Sequence, residues 1–241
     1  MVKVLESQHV ASILKKMPLS KRGKVKEVTL DMASTMQKIV RQRFPNAEQV
    51  ADRFHVQQLV YEAVQDLRIH HRWKAIEQEN AEMELCKELD QEYKPNILEN
   101  GDTLRQLLAR SRNLLFKQEN KWTLSQYQRA EILFKLFPDI KLANELCREL
   151  SSIYGSTKDK EVAFTRLARW YEKVERAGFK TFNTVSRTVQ NNSLTILNYF
   201  NNRSTNASAE SFNAKIKAFR SQFRGVANIP FFLFRLANIY A

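Results

Sequence analysis

The sequence predicts a short α/β segment followed by a predominantly helical chain, an α/β plus α architecture. Three observations carry this. The first 55 residues alternate strand-like and helix-like runs, the pattern of a parallel sheet with crossover helices. From His55 onward apolar residues recur at helical spacing almost without interruption. Only 5 Gly and 5 Pro occur in 241 residues, too little punctuation for the turns of an all-β fold.

Residues 2–5 form a short apolar run, read as the edge of a sheet and the tail of a strand. Ser7 is expected to cap a helix reaching Met17, with Val10, Ile13 and Leu14 on one face. Residues 19–24 read as a basic loop. Residues 25–31 read as a strand with Val25, Val28 and Leu30 inward, ending on Asp31. Ser34 or Thr35 caps a helix through Phe44, which Pro45-Asn46 breaks, and residues 49–54 form the next strand. Val56, Leu59, Val60, Ala63, Val64 and Leu67 then hold one helical face, and a polar helix continues to about Tyr93. Further helices are expected over 103–115, 125–137, 140–154, 160–177 and 180–200. No internal repeat or low-complexity tract is present.

Hydrophobic residues make up 43%, enough for a sizeable core. The formal charge is +13, a field that attracts polyanions, nucleic acid first among them. The charge is unevenly placed. From Arg176 to the end there are nine Lys or Arg and a single acid, Glu210. Residues 77–99 are acid-rich and read as solvated helix surface. Cys86 and Cys147 lie too far apart for a zinc motif and read as plain core residues in a reduced, intracellular, cytoplasmic setting. No membrane-length apolar run appears, so no membrane partner is expected.

Three acids stand out. Asp31 and Asp52 each end a strand, the edge where α/β sheets carry ligands. Each has a plainer reading: Asp31 as a turn or cap residue, Asp52 as the partner of Arg53, with His55 as a packing residue. Glu210 lies early in a helix whose Phe212, Ile216, Phe219 and Phe223 should face inward. Glu210, Asn213, Lys217, Arg220 and Arg224 fall on the opposite face. An acid heading a basic stripe suits a hard divalent cation beside a DNA backbone. It equally suits a first-turn acid worth about 0.3–1 kcal/mol against the helix dipole, above a solvated surface.

The motifs go further. Val-Thr-Leu-Asp-Met-Ala-Ser at 28–34, Phe-Pro-Asn-Ala at 44–47, Ala-Asp-Arg-Phe-His-Val at 51–56 and Glu-Ala-Val-Gln-Asp-Leu-Arg at 62–68 form one series. Thr-Asn-Ala-Ser-Ala-Glu-Ser-Phe-Asn-Ala-Lys-Ile-Lys at 205–217 completes it. In order and spacing, over essentially the whole chain, the series resembles the DDE transposases of the IS-L-three insertion-sequence family. Ser211-Phe212 departs from the Gly-Leu common after the glutamate.

The resemblance implies a partial ribonuclease-H-like catalytic core over residues 1–70, a helical insertion over 71–200, and a helical segment over 201–241 that returns the last acid to the core. It implies two Mg²⁺ or Mn²⁺ ions held by an Asp-Asp-Glu triad, Asp31 matching the second acid and Glu210 the third. Asp52 and His55 match the Asp-Arg-Phe-His motif of the fifth strand and are expected as active-site neighbours. Asn213, Lys217, Arg220 and Arg224 are expected to contact DNA phosphates. The implied reaction is metal-dependent cleavage and strand transfer at insertion-sequence ends, with DNA as partner and a homo-oligomer as the working form. The family's first acid belongs to an earlier strand, residues 2–5 matching the third. The chain is therefore expected to be a fragment, inactive alone and with a weak or empty metal site. The rival expectations are a non-catalytic DNA-binding or assembly module left from a transposase, and a basic helical interaction protein unrelated to DNA.

Overall fold

The computed structural model describes residues 7–223, 226 and 228–240. The edge expected over residues 2–5 lies outside that set, as does Arg224. The chain divides into two compact units, Met1–Arg53 with Leu194–Ala241, and Phe54–Ser193.

The first unit opens with α1 (Ser7–Lys15) and α2 (Leu19–Arg22). The basic loop expected over 19–24 is thus partly helical. Pro18 starts that turn and its carbonyl accepts the amides of Lys21 and Arg22. Arg22 then ties it down, its guanidinium donating to the carbonyls of Met17 at 3.0 Å and Arg43 at 2.8 Å. Next come β1 (Glu27–Leu30), α3 (Ser34–Arg43) and β2 (Glu48–Ala51). The strands pair in parallel, Glu27 opposite Glu48 and Leu30 opposite Ala51. A parallel pair needs a crossover, and α3 supplies it, burying Ile39 and Val40. The cap of α3 is Ala33, one residue earlier than expected, and makes no side-chain bond to the helix.

β2 stops at Ala51, and Arg53 and Phe54 already belong to α4 (Arg53–Glu88). The Asp-Arg-Phe-His motif is therefore a strand-to-helix junction rather than part of a strand. The α4 face buries Val56, Val60, Ala63 and Val64, then Ala75. It ends at Glu88, short of Tyr93. Asp90 adopts a left-handed φ of 52°, and the Gln91 N–H reaches back to the Cys86 carbonyl at 2.8 Å. Glycine ordinarily signals such an ending; Asp tolerates the same conformation and hides it.

The helical unit continues through α5 (Leu104–Arg110), two 3₁₀ turns, α6 (Leu124–Leu136), α7 (Pro138–Ser156), α8 (Lys160–Ala177) and α9 (Lys180–Asn191). Thr103 and Thr123 cap α5 and α6 with matching boxes, each hydroxyl accepting from a Gln amide three residues on at 3.3 Å. Asp159 caps α8 on the amides of Glu161 and Val162, both at 2.9 Å, and Gly178 closes it at a φ of 71°. These two signals are why α8 falls on the predicted residues. The core here includes Leu107, Leu133, Leu150 and Trp170, whose indole N–H donates to the Leu146 carbonyl at 2.8 Å.

Cys147 lies in this core while Cys86 is half-buried, and both are free thiols. Burial pushes the Cys147 thiol up to about 12, against a weaker lowering by the Gln57 hydrogen bond and Arg148. At pH 8 a thiol reagent should therefore label Cys86 fast and Cys147 only on unfolding. Two fast thiols in the native protein would contradict the packing.

The helix expected over 180–200 is two helices, α9 and α10 (Ser193–Asn202). Asn192 interrupts it, its main-chain N–H and its side-chain amide both bonding the Thr188 carbonyl, at 3.3 and 2.9 Å. α11 (Ala207–Ser221) and α12 (Ile229–Tyr240) then pack as a pair around Phe219, Phe232 and Leu236. Ile216 and Phe223 join that cluster as expected. Phe212 does not; it is 45% exposed, one turn beyond Ile216 and outside the cluster.

Candidate active site

The parallel register puts two of the predicted acids side by side. Leu30 pairs with Ala51, so Asp31 and Asp52 each follow directly at the carboxyl ends of neighbouring strands. The Asp52 N–H extends the ladder by one bond, to the Leu30 carbonyl at 2.9 Å. Their surroundings differ. Asp31 is exposed, and one carboxylate oxygen accepts the Ala33 N–H at 3.2 Å as the chain turns into α3. Asp52 is 2% exposed and accepts from the Asn206 side-chain amide at 3.2 Å.

That last bond brings in the segment before Glu210. α10 ends where Arg203 takes a left-handed φ of 56°, its N–H closing on the Tyr199 carbonyl at 2.7 Å. The turned chain is then held along both strands. Asn198 donates to the Gln49 carbonyl at 3.0 Å, and Asn201 donates to the Glu48 carboxylate at 3.1 and 3.2 Å. Asn202 and Ser204 both donate to Glu27. The Ser204 bond, then the Asn202 bond, holds the Glu27 carboxyl below its usual range, against a small rise from burial. Polar side chains thus fasten residues 198–206 to a sheet 149 to 177 residues earlier in sequence.

Glu210 sits in the first turn of α11, its N–H on the Asn206 carbonyl at 2.8 Å. It is exposed, as are Asn213, Lys217 and Arg220, which follow along one face at three- and four-residue steps. On the buried face Arg235 lies over the rings of Phe219 and Phe223, 5.8 and 5.6 Å from their centroids. His55 falls in the first turn of α4, exposed, with the Phe54 ring edge-on at 6.0 Å. Among the described residues no three His, Cys, Asp or Glu side chains form a metal-binding group. Asp31 and Glu210 each carry the carboxylate oxygen that a hard cation takes.

A model of a transposase family matches residues 2–236, nearly the full chain. The chain belongs to the IS-L-three family of DDE transposases. Neither a curated protein nor a solved structure matches it. The Thr-Asn-x-x-x-Glu and Asp-Arg-Phe-His segments both lie inside the matched region. No helix of the described residues is long and apolar enough to cross a membrane.

The helical unit also holds a cavity of about 780 Å³, lined by Tyr61, Lys117, Glu119, Tyr127 and Arg148 among others. One of its cations is already engaged: Arg148 pairs with Glu119 at 2.5 Å and lies 5.9 Å from the centre of the Trp122 ring. An anionic substrate gains little there. The residue that sequence reasoning missed is Asn206. Its signal was present, an Asn four residues before an isolated acid, but nothing local shows that its side chain reaches Asp52.

Proposed function

We propose that this chain carries two of the three acids of a ribonuclease-H-like transposase site, Asp31 and Glu210, and performs DNA strand cleavage and transfer once the site is completed. The observation that carries this is the placement of Asp31 and Asp52 at adjacent strand ends, with Asp52 bonded to the residue that starts the Glu210 helix. The divalent cations of such a site, Mg²⁺ or Mn²⁺, lower the pKa of the attacking water and stabilise the leaving oxygen. Asp31 and Glu210 would hold them through carboxylate oxygen. Asp52 is buried and bonded to Asn206, and His55 follows it by three residues as a neighbour in sequence.

The exposed side chains on α11 supply the substrate contacts. Asn213, Lys217 and Arg220, with Arg224 beyond them, hold the DNA backbone and carry no sequence readout. The family's first acid is not matched by any residue here. Cleavage requires that acid as well as Asp31 and Glu210, whereas DNA binding rests on the basic face of α11 alone. The parallel strands belong to the sheet of the catalytic core, residues 71–200 form the insertion, and assembly on paired DNA ends is through a homo-oligomer.

Binding is tested by anisotropy with labelled duplex at several salt concentrations. Replacing both Lys217 and Arg220 by Ala should flatten the slope of log affinity against log salt by about 2, one phosphate contact each. An unchanged slope would remove α11 from the interface, and no salt-dependent binding at all would favour the interaction protein unrelated to DNA. Cleavage is tested with Mg²⁺ in a longer polypeptide that also carries the family's first acid. Binding without cleavage in that longer protein would favour the non-catalytic remnant.

A further inference from the structure

We propose that Asn206 is a positioning residue that sets Glu210 relative to Asp31 by way of Asp52; this rests on the reading of Glu210 as a metal-binding acid. Asn206 occupies the N-cap of α11. There an asparagine ordinarily turns its side-chain oxygen onto the first free amides of the helix, worth about 1 kcal/mol. Asn206 makes no such bond. Its side chain is turned instead to the buried Asp52 carboxylate at 3.2 Å.

Three hydrogen bonds in series follow from that choice. The Glu210 N–H bonds the Asn206 carbonyl at 2.8 Å. The Asn206 amide bonds Asp52 at 3.2 Å. The Asp52 N–H bonds the carbonyl of Leu30, the residue before Asp31, at 2.9 Å. The two proposed ligands are thereby referenced to one another across 179 positions of sequence, Asp31 to Glu210.

The neighbouring polar contacts cannot do this. Asn201, Asn202 and Ser204 bond Glu48 and Glu27, the first residues of the two strands and so the opposite end from the acids. Of these side chains only Asn206 reaches the carboxyl end. The residue type is also dictated. A serine would cap the helix but is too short for Asp52. An aspartate would set two carboxylates against each other in a buried place. An asparagine donates to Asp52 while its main-chain carbonyl takes the Glu210 amide.

The test uses the whole chain and Mn²⁺ alone, read as paramagnetic broadening of the carboxylate NMR signals of Asp31 and Glu210. Glu210→Gln comes first. If it leaves the broadening at Asp31 and the Mn²⁺ affinity unchanged, the ligand reading falls, and the positioning role with it. If it weakens binding, the ligand reading stands and the Asn206 variants decide the rest. Asn206→Ala and Asn206→Ser should both weaken Mn²⁺ binding about ten-fold or more, the scale of an outer-shell partner. Asn206→Asp should do so too, and the swapped pair Asp52→Asn with Asn206→Asp should recover most of the loss. A capping role would instead be rescued by Ser. Wild-type affinity in the Ser variant, or no recovery in the swap, overturns the proposal while leaving Glu210 a ligand. A metal-free readout stands beside it: the Asn206 side-chain protons should exchange slowly with water and speed up in Asp52→Ala. Fast exchange in the wild-type chain also overturns it.

Discussion

Glu210→Gln, made in a polypeptide that also carries the family's first acid, should lower Mg²⁺-dependent strand cleavage by roughly three orders of magnitude or more, as expected when one member of a unit acting together is removed. Asp31→Asn should do the same, and the double variant should be little worse than either. Such non-additivity is the mark of shared ligands rather than of two independent contributions. Duplex binding should hold or improve in both, because each change removes a negative charge that repels phosphate. Cleavage and binding are measured side by side, with product strands resolved on a denaturing gel. If Glu210→Gln cuts at the wild-type rate, Glu210 is a first-turn acid favoured by the helix dipole and nothing more.

The largest effect on stability is expected at Asp102, in the helical unit. Its side chain is 1% exposed and accepts hydrogen bonds from Arg110, from Arg129 at 2.9 Å and from Asn100 at 2.9 Å. Asp102→Ala should cost about 3 kcal/mol, the lower end for breaking a buried ion pair. The lower end applies because Arg110 is 55% exposed and regains water, whereas Arg129, 17% exposed, does not. Trp73, Trp122 and Trp170 all lie in Phe54–Ser193, so tryptophan fluorescence during urea unfolding reports on this unit. The midpoint should fall with the slope unchanged. A shift worth less than about 1 kcal/mol would mean that the pair only balances its own desolvation.

The same residue sets a pH dependence. Burial pushes the Asp102 carboxyl up, but the hydrogen bonds and charges of Arg129 and Arg110 outweigh it and hold the group below the usual carboxylate range. A depressed carboxyl stabilises the fold at every pH above its unfolded value. That contribution is lost only as pH falls through the lower folded value. Asp102→Asn should therefore flatten the acid limb of the unfolding profile below about pH 4.

Legibility in the sequence followed the range of the interaction. α8 was readable from end to end because Asp159 and Gly178 mark its ends with local chemistry. The ends of α4 and α9 were not, because Asp90 and Asn192 stop those helices through conformations and side-chain bonds that other residue types announce better. Phe212 sits at the same helical spacing as Ile216 and Phe219, but the cluster with α12 ends one turn before it. Spacing gives a face; only the partner gives the length over which that face is covered.

The sequence by itself determined the family, the predominantly helical character, the basic last third and the identity of the acids worth asking about. These depend on residue types, their order and their periodicity, all of which are written along the chain. Tertiary structure alone decided that Asp31 and Asp52 follow directly at the carboxyl ends of adjacent strands, that Asp52 is buried while Asp31 is exposed, and that Asn206 gives up its helix cap to reach Asp52. Each of those facts is a hydrogen bond or a burial made between residues distant in sequence, and no local pattern encodes which donor a buried carboxylate will find.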